Sequence, residues 1–197
     1  SKFAHTAPPG FLEAAKKGAK ATPQKITSRP RMAQTLSPKK QAALARNFFP
    51  PSATQGFQYI YLTNRAKVSS KILRAQLHGL GLPKGRILDI HYPDRFVVAI
   101  LVHNDFASTA LEILARNTIR PISDFDPTDP ARIRDPKFDH LTVEERKQKA
   151  LDLHQNRLLL AISRIREPVR FAVIRHFTGK NWVSQAQVDS FLAKQTQ

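Results

Sequence analysis

Two tyrosines two residues apart, Tyr59 and Tyr61, lie in the run Phe57-Gln58-Tyr59-Ile60-Tyr61-Leu62, and Asn64 follows closely. In an extended strand alternate side chains point to opposite faces, so both rings share one face and Ile60 and Leu62 share the other. A ring on a solvent-facing sheet can stack on a splayed base, worth roughly 1–3 kcal/mol per base. Cations surround this strand in sequence. Arg65 and Lys67 come directly after it, Lys71 and Arg74 next, then Lys84, Arg86 and Arg95. Such side chains neutralise phosphates and fix the register of a bound strand. The same rings have a second use, which is to pack the sheet beneath another part of the chain. Both uses remain open at this point.

Composition points the same way as the cations. The chain has 197 residues and a formal net charge of +17. Residues 1–55 hold ten Lys or Arg against the single acid Glu13, so this quarter supplies more than half of the excess. It also holds seven of the fourteen prolines. A segment so poor in large apolar residues buries too little surface to offset chain entropy. Residues 1–55 are therefore expected to form a basic, mostly disordered arm, in which Lys16, Lys17, Lys20, Arg29, Arg31, Lys39 and Lys40 contact polyanion. Two short helices are expected within it, Phe11 to Lys20 and Lys39 to Phe48, the second opened by Ser37-Pro38.

The elements that must position the tyrosines follow in the order strand, helix, strand, strand, helix, strand over residues 56–125. After the tyrosine strand, Ser69 or Ser70 can cap a helix carrying Ile72, Leu73, Gln76, Leu77 and Leu80, and Gly79 or Gly81 ends it. Ile87 to Tyr92 and Arg95 to Val102 have strand composition, separated by a turn at Pro93-Asp94. Asp105 can cap a helix bearing Ala107, Ala110, Leu111 and Leu114. Ile119-Arg120-Pro121-Ile122 closes the series. Proline belongs at a sheet edge, and this last strand is an edge if the order is fourth, first, third, second. The fold class expected is α+β, a ferredoxin-like, RNA-recognition-type (RRM-like) sandwich of four strands and two helices.

Residues 126–140 are expected to be a Pro/Asp-rich linker, and residues 141–197 a helical C-terminal subdomain. Thr142 with Glu145, and Ser184 with Gln187, have the spacing of capping boxes. Pro168 and Gly179 bracket a helix between them. Along the inner face of the third strand, Phe96, Val98, Ile100 and Val102 are expected to meet the core. The third strand then departs from the usual nucleic-acid pattern, because Val97 and Ala99 stand where outward aromatics are found. Arg95 keeps the basic position. Two stacking platforms are missing, and a face of small apolar residues is suited to cover by protein. Trp182 is expected to pack rather than stack. Arg157, Arg164, Arg166, Arg170 and Arg175 fall on neighbouring helical turns and could make a second basic surface.

Other chemistries find little support. The chain has no cysteine, which excludes disulfides and cysteine-bound zinc. Asp89, His91 and Asp94 are close in sequence without a further ligand cluster, and Asp124, Asp126 and Asp129 lack the Gly and terminal Glu of a calcium loop. No glycine-rich phosphate loop or nucleophile motif is present, so neither catalysis nor a cofactor is expected. The apolar run Phe96 to Val102 is far too short to span a bilayer. The start, Ser1-Lys2-Phe3-Ala4-His5, has neither a signal-peptide core nor an initiator Met, which suggests a processing boundary. An intracellular setting, nuclear or cytoplasmic, is the expectation.

The middle region and its continuation resemble the gag-like first-open-reading-frame proteins of fungal non-LTR retrotransposons. The likeness rests on Tyr59-Ile60-Tyr61-Leu62, Arg86-Ile87-Leu88-Asp89-Ile90-His91-Tyr92-Pro93, Phe125-Asp126-Pro127-Thr128-Asp129-Pro130 and Arg164-Ile165-Arg166-Glu167-Pro168. It implies a protein that coats its own transcript, self-associates and assists copying within a ribonucleoprotein. The function expected is non-enzymatic binding of RNA or another single-stranded nucleic acid. The alternative is an interaction module of a ribonucleoprotein or coat-like assembly, its sheet covered by protein.

Overall fold

The computed structural model of the chain describes residues 36–45, 48 and 54–195. Contacts divide the chain between Phe49 and Pro50. In the first unit, helix α1 spans Pro38–Ala45. The carbonyl of Ser37 accepts from the N–H groups of Lys40 and Gln41 at 2.8 and 3.0 Å. Pro38 fits the opening turn because an N–H there would have no intrahelical acceptor. The expected helix from Phe11 to Lys20 lies outside the described residues, as does most of the expected arm.

The second unit is α+β. Its elements are β1 (Phe57–Thr63), α2 (Ser70–Gly79), β2 (Ile87–Asp94), β3 (Val97–His103), α3 (Asn104–Arg116), α4 (Val143–Arg164), α5 (Val169–Gly179) and α6 (Gln185–Gln195). The strands form an antiparallel sheet in the order β1-β3-β2. Short 3₁₀ turns at Lys84–Arg86, Pro130–Arg132 and Pro136–Phe138 complete the chain path.

One face of the sheet packs on α2 and α3. Ile60, Leu62, Val98, Ile100 and Val102 meet Leu73, Leu77, Phe106, Ala110 and Leu114 there. On β2 the pairing register shifts between Ile87 and Asp89. This bulge brings Ile87 and Ile90, three residues apart, to the same core. Helix α2 begins as expected, with the Ser69 hydroxyl accepting from the Ile72 N–H, but Ile72 and Gln76 lie on its exposed side. Helix α3 is capped by His103, whose Nδ1 accepts from the Asp105 N–H, rather than by Asp105 itself.

The opposite face is also buried. Phe57 and Leu101 pack with Leu158, Ile162, Val173, Phe177 and Val188 from the three C-terminal helices and with Val183 between the last two. Both expected capping boxes form. Thr142 N–H donates to Glu145 Oε2 at 2.8 Å, and Ser184 N–H to Gln187 Oε1 at 2.8 Å. The C-terminal helices are thus the second layer over the sheet, in one unit with it.

Two expectations are corrected. The fourth strand is absent among the described residues: there the chain beyond α3 makes one bridge to the sheet, Leu62 to Pro121, with the Ile122 N–H donating to the Tyr61 carbonyl at 2.8 Å. Thr118 has a left-handed φ of 60°, Pro121 has no N–H, and a turn follows at once, so a ladder cannot propagate. Phe96 is not in the core. It occupies the tight turn after β2, is 46 % exposed, and lies under the Arg95 guanidinium at 5.3 Å.

Because the second core includes the C-terminal helices, Phe177→Ala is expected to cost about 3–5 kcal/mol. Urea unfolding followed by tryptophan fluorescence and by far-ultraviolet dichroism should show one shared transition, shifted to lower urea. Two separate transitions would mean that the helices fold apart from the sheet.

Candidate nucleic-acid interface

The two tyrosines do share a face, and it is the face beneath the C-terminal half of the chain. Tyr59 pairs with Leu101 and Tyr61 with Ala99 across β1 and β3. Ala99 is 0 % exposed. Tyr59 packs edge-on to His91 with centroids 5.0 Å apart, and beside Phe177 at 6.3 Å. Its hydroxyl donates to Asp89 Oδ2 at 3.4 Å, and His91 Nδ1 lies 2.8 Å from the same oxygen. Asp89 is only 3 % exposed, so these two partners are what makes its burial tolerable. Burial first, then the Asp89 carboxylate, push the Tyr59 hydroxyl well above the ordinary phenol range.

Tyr61 already holds a ring. Phe125, at the start of the Pro/Asp-rich segment, lies 4.6 Å away at 33°. The Arg132 guanidinium covers Phe125 at 4.1 Å. A cation, Phe125, Tyr61 and Tyr59 thus run in series over the sheet, and Phe125 occupies the stacking position expected for a base. Within the Pro/Asp-rich residues 126–140, Asp129 and Asp135 cap two 3₁₀ turns and Ile133 is buried, while Phe125 just before them is buried too. Arg132 and Arg134 reach Asp94 Oδ2 at 3.4 and 3.6 Å. Burial, with Asp126 nearby and Arg157 opposing, pushes the Tyr61 hydroxyl up to about 12.

Between the edge of β1, α4 and this segment a cavity of about 460 Å³ remains, lined by Tyr59, Tyr61, Asp126, His154 and Trp182 among others. His154 is 8 % exposed, and its Nδ1 has no hydrogen-bond partner. Burial, with help from His91 and Arg157 and against Asp126, lowers its pKa to about 4. Trp182 packs on Phe177 and His176 at 5.3 and 5.7 Å, as expected.

The remaining expected contacts do not converge on the tyrosines. Asn64 is a turn residue whose Nδ2 donates to the Ala66 carbonyl at 2.6 Å and to the Tyr92 hydroxyl at 3.3 Å. Arg65, Lys67, Lys84 and Arg95 are exposed. Lys67 and Arg86 lie over the rings of Tyr92 and Phe106, at 5.8 and 5.6 Å. Lys40 is exposed on α1, and Lys39 lies in the same helix. Lys16, Lys17, Lys20, Arg29 and Arg31 lie outside the described residues. Of the C-terminal arginines, Arg164, Arg166 and Arg175 are exposed, but Arg170 is tied to the Ile165 carbonyl at 2.8 Å and Arg157 is half-buried. Among the described residues no group of His, Cys, Asp and Glu could hold a metal, and no helix is long and apolar enough to cross a membrane. Reading residues missed Phe125, Arg132 and His154. A weak signal was available, since Phe125 and Phe138 are large apolar residues in a polar, proline-rich stretch, and Phe125 is the one that is buried.

No family model, curated protein or solved structure matches the chain.

A group whose pKa is lowered by folding binds a proton more readily in the unfolded chain. Through His154, stability should therefore fall as pH drops from 6.5 to about 4, and level off below that. The slope has an upper bound of about 1.4 kcal/mol per pH unit. In urea titrations across this range, His154→Leu should decline less steeply than the parent. Equal slopes would show that other groups govern the acid limb.

Proposed function

We propose that the chain is a non-enzymatic, RNA-binding component of a ribonucleoprotein or coat-like assembly, which holds RNA by charge and uses its sheet as an internal scaffold. The observation that carries this is the double burial of β3: the face that could offer rings to bases is occupied by α4 to α6 and by Phe125. The net charge of +17 supplies the affinity, over half of it from residues 1–55. The likeness to gag-like retrotransposon proteins agrees with this role.

We also read the fold as a reduced RNA-recognition type. The Pro121 bridge beside β1, followed by β3 and β2, follows the order fourth, first, third, second, with the fourth strand shrunk to one bridge. In this reading the sandwich has kept its helix-backed layer and has turned its other face inward.

Binding to single-stranded RNA should fall steeply with salt, and removal of residues 1–50 should weaken it alike for every sequence. Tyr61→Leu keeps an apolar side chain against Phe125 and removes the aromatic face. Its RNA affinity should match the parent within about twofold, whereas a stacked base would cost roughly 1–3 kcal/mol. Fluorescence anisotropy across a salt series measures all three. Salt-independent binding, or a large loss in Tyr61→Leu, would overturn the proposal.

A further inference from the structure

The side of the unit away from the tyrosines carries a different kind of site. From Asn64 to Leu88 the chain has six Lys or Arg and not one Asp or Glu. This stretch comprises the loop after β1, helix α2 and the Lys84–Arg86 turn. Within it a cavity of about 470 Å³ is lined by Ser70, Lys71, Arg74, Ala75 and Lys84. That volume falls in the range of small-ligand sites.

Three features give the groove one electrostatic sign. Lys71 and Lys84 are exposed, and the ion pairs found among the described residues include neither of them. Helix α2 has no acid in its first turn, so the partial positive charge of its N-terminus is uncompensated. Arg74 is held in place, its Nη1 donating to the Lys84 carbonyl at 3.2 Å and to the Ile87 carbonyl. Those bonds tie α2 to the 3₁₀ turn and set Lys71 and Lys84 along one groove. They use one nitrogen of the guanidinium, leaving Nε and Nη2 as donors for an anion. A cation fixed in advance loses little freedom on binding, which separates this groove from scattered surface lysines.

We infer that the groove between α2 and the Lys84–Arg86 turn is a phosphate site that takes the backbone of single-stranded RNA. Lys71, Arg74 and Lys84 make the contacts. The inference rests on the RNA-binding reading above and goes beyond it, because it locates binding on the helix side of the sandwich and outside the arm. Phosphodiester groups suit the site by charge complementarity alone. Phosphate oxygens satisfy these cations whatever the base attached, so binding there is expected to be indifferent to sequence.

The test uses the full chain, single-stranded homopolymer RNA and a salt series. Lys71→Gln with Lys84→Gln removes two exposed cations without touching the core. Losing two contacts should make the slope of log affinity against log salt shallower by about 1.4, or about twentyfold weaker binding near 0.1 M salt. The control is Lys180→Gln with Lys194→Gln, which removes the same charge elsewhere and should change binding far less. Far-ultraviolet dichroism confirms folding of each variant. An equal loss in the control pair means diffuse charge and overturns the site. An unchanged groove variant, with parent binding still sensitive to salt and to loss of residues 1–50, overturns the site and leaves the broader reading standing. A parent that binds no RNA at any salt defeats both. Preference for poly-glutamate or for anionic phospholipid vesicles over RNA overturns the site in favour of another partner.

Discussion

Val97, Ala99 and Leu101 give the central strand a second apolar face, and the rest of the fold follows from that. A sheet with one wet face can end its construction at two helices. Here every residue of β3 from Val97 to Val102 is buried, so both faces need cover. Each buried large aliphatic side chain contributes about 1.5–3 kcal/mol relative to exposure. Helices α2 and α3 satisfy one side. The other is satisfied by α4, α5 and α6, whose contributions include Leu158, Ile162, Phe177 and Val188. The small side chain of Ala99, between Tyr61 and His91 in register, leaves room for rings to lie close to the sheet.

Covering a face that carries Tyr59, Asp89 and His91 creates a polar problem at the interface. It is met by pairing. Asp89 accepts from Tyr59 and faces His91, and Asp94 meets Arg132 and Arg134 from the segment after α3. Such pairs offset desolvation rather than drive folding, since a buried charge partner mainly prevents a penalty. Their value lies in direction. Asp94 and Phe125 together fix where the Pro/Asp-rich segment crosses the sheet, through Arg132, which touches both. The segment then delivers Thr142 to the start of α4 in register with the second core.

The periodic and local features were legible in residues. Strand alternation gave β1 and the inner face of β3, and the spacing of Thr142 with Glu145 and Ser184 with Gln187 gave two helix starts, because capping is a matter of adjacent atoms. Val97 and Ala99, read as lost stacking platforms, were the visible trace of a covered face. What escaped was non-local. Nothing near Phe125 in the chain announces Tyr61 as its partner. The bulge on β2 shifted Ile87 and Ile90 to one core against simple alternation. The fourth strand failed for a reason that Pro121 hinted at, yet the left-handed Thr118 completed it and carries no glycine signature.

Charge and burial divide the molecule in complementary ways. Acids are concentrated in the segment from Asp124 to Asp152, where Asp126, Asp129, Asp135 and Glu145 cap turns and helix starts or pair with nearby cations. Negative charge is thus spent on building the cover over the sheet. The stretch from Asn64 to Leu88 has no acids; its cations face solvent, lie over rings or, for Arg74, donate to backbone carbonyls. Had the sheet face been the polyanion site, the acids of the covering segment would sit directly on it and repel phosphate. Asp126 beside Tyr61 adds negative charge to a face that is already covered, which disfavours it as a route for a nucleic-acid backbone. The stretch from Asn64 to Leu88, whose cations have no acid among them in sequence, offers a field of one sign.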